Sequence, residues 1–396
     1  MTTTIIITIC ILLLLAYIFD ISSALTKIPS VILLLLLGWI VKQTVDLFHI
    51  YIPDLNPLLP ILGTIGLILI VLEGSLELEL NKSKLSLIKK SSLNALLPML
   101  ALAFIVALLF QNFEHISLKI ALVNAIPICV ISSAIAIPSV RNLSAFNKEF
   151  IIYESSLSDI FGVLFFNFIA LNYIINAQSF QNFALQFLLI IAISFFAVLG
   201  LSFLLSRIKH HITYTPIILM VILIYAISKV YHLPGLIFIL VFGLFLGNLD
   251  ELKQFKWIKR LDPEELNKEV KRFKELTGEA TFLVRALFFL LFGYLIETAE
   301  ILNMDTLIWS FGIVGIIFVI RVIQLKLSGM PLNPALFISP RGLITILLFL
   351  SIDQAQQIPI INRSVIIQVI IITALIMMFG LMVAKKNQVA DKPDHK

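Results

Sequence analysis

Six ionisable residues stand inside long apolar stretches: Glu73, Glu154, Asp159, Arg285, Arg321 and Arg341. In a membrane each would cost about 2.5–3.5 kcal/mol at a helix centre unless paired or hydrated. Such residues either mark an ion path or clamp helices together. Glu154 and Asp159 lie five positions apart in YESSLSDIFG, and at about 100° per helical residue they point about 140° away from each other. They are therefore not expected to form one shared dyad. The economical arrangement turns Glu154 toward a buried arginine and Asp159 toward an aqueous cavity. A carboxylate placed like Asp159 binds a proton or a small hard cation, but not both at once. Oxygen donors beside it (Ser158, Ser155, and the Ser132–Ser133 stretch with its freed carbonyls) suit Na⁺ or K⁺, which want oxygen ligands as other hard cations do.

Two further stretches are ill suited to unbroken helix. NAIPICVISSAIAIPSV carries Pro127 and Pro138 around Ser132 and Ser133; PLNPALFISPRGLITI carries Pro331, Pro334, Pro340 and Gly342. Proline frees backbone carbonyls, and at membrane depth these are tolerated only inside protein or along a water-filled cavity. The interruptions are about 200 residues apart, close to half of the chain. A pair of interrupted helices in matching positions of two halves points to an inverted-repeat transporter with a site at the midplane.

Composition supplies the membrane. Of 396 residues 60% are hydrophobic and 13% charged, with a mean hydropathy of +1.04; soluble domains run nearer 45–50% and about 25%. Soluble enzymes and nucleic-acid binders are excluded as readings, because every soluble globule needs a polar skin. The net charge of +5 bears on membrane orientation rather than on nucleic acid. Cys10 and Cys129 both sit in apolar runs, and the six histidines show no ligand-spaced cluster, so neither a disulfide framework nor a resident metal or cofactor is expected. The first apolar run lacks a basic flank and a cleavage site and reads as a spanning helix rather than a signal peptide.

Windows of about 20 apolar residues predict an all-α, multi-pass protein with about thirteen spans. They lie near 3–20, 28–45, 57–77, 91–110, 117–140, 149–176, 183–206, 213–231, 234–249, 279–297, 304–325, 332–352 and 362–384. Loops on one side collect 22 Lys and Arg residues against 4 on the other, which puts the N-terminus outside and the C-terminus in the cytoplasm. The reading is one transporter domain over 1–396. Within it, 250–278 is an amphipathic cytoplasmic linker between the halves, and 385–396 is a short cytoplasmic tail with no soluble module after the last span.

Taken in order, these motifs resemble the monovalent cation–proton antiporters of the sodium/proton exchanger superfamily. YESSLSD is similar to the Glu-Ser-Leu-Leu-Asn-Asp signature of the electroneutral branch, with Glu154 at its glutamate and Asp159 at its ion-binding aspartate. LEGSLEL resembles a Glu-Gly-Gly-Leu stretch and puts Glu73 at its glutamate. FLVRALFFLLFG, which holds Arg285, and SPRGLITI resemble later stretches, the second carrying an Arg-Gly pair in the second broken helix. The resemblance implies a fold with a dimerisation domain and a core of two crossing broken helices, and it implies a homodimer in lipid. It also implies that Glu154 pairs with Arg321, with Arg341 as the second candidate partner. Two departures stand out. Ser158 replaces the family's Asn before the aspartate, and Ser132–Ala134 replaces its Thr-Asp-Pro, so a carboxylate is missing from the crossing.

The expected activity is one-for-one, electroneutral exchange of Na⁺ or K⁺ for H⁺ by competition at Asp159, without catalytic residues. Arg321 keeps its proton at any working pH, so it neutralises Glu154 without joining the exchange. Glu73 is an accessory candidate for delivering ions, or a capped helix-end glutamate. Arg285 is a structural clamp or a snorkelling residue. Two other readings keep the membrane architecture: an organic-anion symporter driven by Na⁺, and a channel or non-transporting scaffold. A channel would show a filter repeat, and none is found in the sequence.

Overall fold

The computed structural model describes residues 2–26, 28–78, 84–140, 143–172, 176–207, 214–231, 233, 235–248 and 263–390. The helices are α1 (Thr2–Thr26), α2 (Ser30–Leu47), α3 (Leu58–Glu77), α4 (Leu85–Glu114), α5 (Leu118–Cys129), α6 (Ser133–Ser139), α7 (Ala145–Leu171) and α8 (Ala177–Arg207). After these come α9 (Tyr214–Val230), α10 (Gly235–Gly247), α11 (Pro263–Tyr294), α12 (Thr298–Ile301), α13 (Met304–Leu327), α14 (Leu343–Leu350) and α15 (Arg363–Ala390). No strand occurs among the described residues. Among the described residues nine stretches of helix are long and apolar enough to cross a membrane, and α9 and α10 are shorter apolar helices. At 1.5 Å per residue, the 13 residues of α10 span about 20 Å, short of a hydrocarbon core about 30 Å thick.

The described chain falls into two compact units. The first comprises Met1–Gly63, Lys90–Phe166 and Arg285–Lys396; the second comprises Thr64–Lys89 and Asn167–Val284. In the first unit α2 and α11 meet backbone to backbone through a reciprocal pair of glycines. A Cβ on Gly38 would fall 2.2 Å from the Leu290 carbonyl oxygen, and one on Gly293 would fall 2.3 Å from that of Leu35. Lipid tails are as apolar as leucine, so membrane helices associate through this kind of close fit. Beside it Phe288 and Phe292 stack with centroids 6.2 Å apart. In the second unit α10 packs against α8 and α9. The Asn248 amide at its end donates to the Leu78 carbonyl at 2.8 Å, tying α10 to the end of α3.

The first interruption falls between α5 and α6, at Val130–Ser132, rather than at the prolines, which both lie inside the short helices. Proline removes a donor within its own helix. The chain leaves the helix later, where Val130 (φ −82°, ψ 130°) and Ser132 (φ −80°, ψ 114°) adopt extended backbone. The second interruption is longer: residues 328–342 are irregular and α14 begins only at Leu343. The linker expected over 250–278 is only partly visible. Residues 250–262 lie outside the described residues, and 263–278 run without a break into the tenth expected span as the single helix α11. The expected tail behaves likewise, since 385–390 continue α15 and 391–396 lie outside the described residues.

Candidate ion-binding site

Both interruptions meet in the first unit. The Ser132 N–H donates to the Pro340 carbonyl at 2.9 Å, a backbone bond between the two irregular stretches. A Cβ on Gly342 would lie 2.7 Å from Ile135 Cδ1 and 2.8 Å from Ser132 Oγ, so a larger residue would require these two side chains to move. Helix α14 packs on α5.

Arg341 supplies the charge at this crossing. Its Nε donates to the Ile128 carbonyl at 2.7 Å and its terminal nitrogens to Cys129 O at 3.3 Å, Ser339 O at 2.8 Å and Ser339 Oγ at 2.7 Å. The backbone N–H of Arg341 donates to Thr373 Oγ1 at 3.1 Å. Arg341 as a partner of Glu154 is therefore corrected. It caps the carbonyl end of α5, where the helix leaves unsatisfied acceptors and the negative pole of its dipole.

Glu154 is 1% exposed and Arg321 2%. Arg321 holds Glu154 with two parallel N–H donors, one to Oε1 and one to Oε2 at 2.8 Å. Its remaining donors reach Ala335 O (3.2 and 3.0 Å), Ile338 O (3.3 Å) and Gln324 Oε1 (3.3 Å). One side chain thus joins α13, α7 and the second irregular stretch, in the fork geometry that favours Arg over Lys. The Gln324 amide also donates to Glu154 Oε1 at 2.7 Å and to the Asn94 carbonyl at 2.9 Å. Gln324 is absent from the sequence reading, although its position three residues after Arg321 places both on one helix face.

Asp159, also 1% exposed, meets a different environment. Its Oδ2 accepts from the Ser133 hydroxyl and from the Ser133 backbone N–H at 3.3 Å. Its Oδ1 is buried with no hydrogen-bond partner among the described residues, and the same holds for Ser132 Oγ. Ser158 is engaged elsewhere: its Oγ accepts the Ile131 N–H at 2.9 Å, satisfying a donor inside the first interruption. Ser155 turns its hydroxyl back to its own helix, to Ile151 O at 2.7 Å. Structurally, then, Asp159 is gathered with Ser133, Glu154 with Arg321, and Ser155 with neither.

The accessory residues lie in other surroundings. Arg285, on α11, is 3.6 Å from Asp20 Oδ1 of α1, and Ser30 Oγ donates to the same oxygen at 3.4 Å. Asp20 stands at the end of the first expected span, a fourth acidic residue at depth that the sequence reading does not single out; its signal is a lone carboxylate closing an apolar run. Glu73 belongs to the second unit. Its Oε1 lies 3.4 Å from where a Gly278 side chain would begin, so the glycine gives this half-buried carboxylate room beside α11.

A bundle of spanning helices with two interrupted members crossing beside a buried carboxylate defines a secondary transporter. The family model described as "Sodium/hydrogen exchanger, transmembrane" matches residues 10–385. The chain belongs to the sodium/hydrogen exchanger family and is an integral, multi-pass membrane protein. Its fold is that of the sodium proton antiporter MjNhaP1 from Methanocaldococcus jannaschii. The structure of that protein at pH 8 aligns with a TM-score of 0.68 at 18% identity, covering 97% of this chain and 99% of the other. The same antiporter's electron-microscopy structure aligns at 0.69 and 17% identity, covering 100% and 99%. Among curated proteins no match is found. Family and fold together support cation–proton antiport.

Proposed function

We propose that the protein exchanges one monovalent cation, Na⁺ or K⁺, for one proton, both carried in turn by Asp159. The observation that carries this reading is the contrast between the two buried carboxylates of α7. Both oxygens of Glu154 are bonded by Arg321, and Gln324 adds a further donor. Asp159 keeps one oxygen without a hydrogen-bond partner among the described residues while Ser133 orients the other. A buried carboxylate without a cation is costly; a bound proton or a bound metal cation relieves that cost equally well. Ser133 holds the carboxylate in orientation, and Ser132 offers a hydroxyl oxygen to the cation. Ser158 steadies the interruption against α7. The ion pair of Glu154 with Arg321 is structural, Arg285 clamps α1 to α11 through Asp20, and Glu73 is an accessory acid.

With Glu154 held in its ion pair with Arg321, Asp159 is the site at which the ions exchange. The carrier then crosses in the same charge state with either ion, and the exchange is electroneutral. The working assembly is a homodimer of single-domain protomers in a bacterial plasma membrane, with the N-terminus outside and the linker and tail in the cytoplasm.

The test is proton movement in proteoliposomes of the full chain, followed by an internal pH dye while Na⁺, K⁺ or Li⁺ is added outside. Cation-triggered alkalinisation whose rate is unchanged by an imposed K⁺-independent membrane potential is the expected result. A rate that follows the potential would overturn the one-for-one stoichiometry. No response to any of the three cations would overturn antiport.

A further inference from the structure

A groove of about 360 Å³ runs between α3 and α9, wholly within the second unit, and its size is in the range of small-ligand sites. Its lining is ordered along the two helices. Lys229 lines it from the last turn of α9, and Ile222 lines it about 10 Å further down the same helix. On α3, which starts at Leu58, Thr64 lines it nearer the helix start and the buried Ile68 about 6 Å further in. One end of the groove is therefore polar and near the helix termini, while the other is apolar and at the depth of the helix middles.

The polar end is unsatisfied by protein. Among the described residues the hydroxyls of Thr64 and Tyr225 and the ammonium of Lys229 make no hydrogen bond or ion pair. Thr277 and Thr281 show the usual solution in a helix, each donating to the carbonyl four residues earlier at 2.8 and 2.7 Å. Lys229 also differs from its peers. Of the four basic residues on the side expected to face out, Lys42 and Arg363 pair with Asp46 and Glu300, and Lys119 is engaged as well. A positive charge at the surface end of an apolar groove, in a helix bundle surrounded by lipid, is complementary to a molecule with a negative head and a hydrocarbon tail. We propose that this groove binds an anionic phospholipid. Its phosphate sits against Lys229, within reach of the Tyr225 and Thr64 hydroxyls, and one acyl chain lies over Ile222 and Ile68. Lysine suits the role, because its stem covers apolar surface while its ammonium stays at the level of the headgroups.

The experiment titrates the full chain, purified and stripped of lipid in detergent, with phosphatidylglycerol, phosphatidylcholine or glycerol 3-phosphate. Bound molecules are counted by native mass spectrometry, and the thermal midpoint is read in parallel. Wild type is expected to hold phosphatidylglycerol about fivefold more tightly than phosphatidylcholine, the scale of one Lys beside an anionic headgroup, with a midpoint that rises with its concentration. Lys229→Ala should abolish the preference, and Lys229→Gln gives the same reading if the alanine variant does not fold. Lys42→Ala removes a paired lysine from the same side and should leave the preference intact. Ala226→Trp fills the groove from an exposed position in its wall and should weaken binding of both lipids. Equal affinity for the two lipids, or a preference that survives in both Lys229 variants, would overturn the proposal. Glycerol 3-phosphate bound as tightly as the lipid would overturn it too, because the site would then be one for a free anion. None of these readings uses transport, so they stand or fall separately from the proposed antiport at Asp159.

Discussion

Asp159→Asn is expected to reduce cation–proton exchange to the leak of empty liposomes while the protein stays folded. Asparagine keeps the size of the side chain and an oxygen that can accept from Ser133, which now bonds Oδ2. It removes the negative charge that a cation needs and the oxygen that a proton titrates. Stability should not suffer. Asp159 is 1% exposed, and among the described residues no Lys or Arg forms an ion pair with it, so neutralising it removes a desolvated charge from the interior. A thermal midpoint at or above that of wild type, together with loss of dye-reported exchange, is the expected pair of results. A folded Asn variant exchanging at the wild-type rate would remove Asp159 from the mechanism.

Arg321→Ala has the opposite character. Its primary damage is to the fold, because it strands Glu154 as a buried anion and leaves the Ala335 and Ile338 carbonyls without the donors that now reach them. Breaking one side of a buried ion pair costs about 3–5 kcal/mol, enough to consume a large part of a typical domain's stability. The midpoint of the purified variant in detergent should fall sharply. Adding Glu154→Gln should recover part of the loss, since the neutral amide no longer needs a countercharge. That recovery separates a stranded charge from simple loss of side-chain volume. An Arg321→Ala protein that melts with wild type would mean that the pair does not hold α7 against α13.

The spans and their all-helical class were legible because lipid imposes a simple rule on length and hydropathy. Continuous apolar runs become helices, and the runs near 3–20, 28–45 and 304–325 are α1, α2 and α13. Helical periodicity also translated the spacing of Glu154 and Asp159 into two directions, and in the fold these carboxylates meet different elements, α13 and the start of α6. Less visible was everything decided by irregular backbone or by a rotamer. The prolines announced an interruption, yet the chain leaves the helix at Val130–Ser132, where Arg341 gathers the freed carbonyls of Ile128 and Cys129. Carbonyl partners leave no mark in side-chain identities, so Arg341 read as a partner for a carboxylate. Ser155 and Ser158 are the same residue type on one helix, and only the fold shows that one bonds its own helix while the other holds the Ile131 N–H. Asp20 and Gln324 were overlooked for a related reason, because their partners lie far away in sequence.

Competition between cation and proton for a single carboxylate is most directly tested by the pH dependence of cation affinity. Isotopic Na⁺–Na⁺ exchange would be measured in proteoliposomes with equal pH on both sides, so that no proton gradient drives the flux. If Asp159 carries either ion but never both, the half-saturating Na⁺ concentration should rise about tenfold per pH unit below the pH at which the site protonates. The maximal rate at saturating Na⁺ should stay constant across that range. A half-saturating concentration that stays flat with pH while the maximal rate falls would contradict the account, because the proton would then act at a group other than the one that binds the cation.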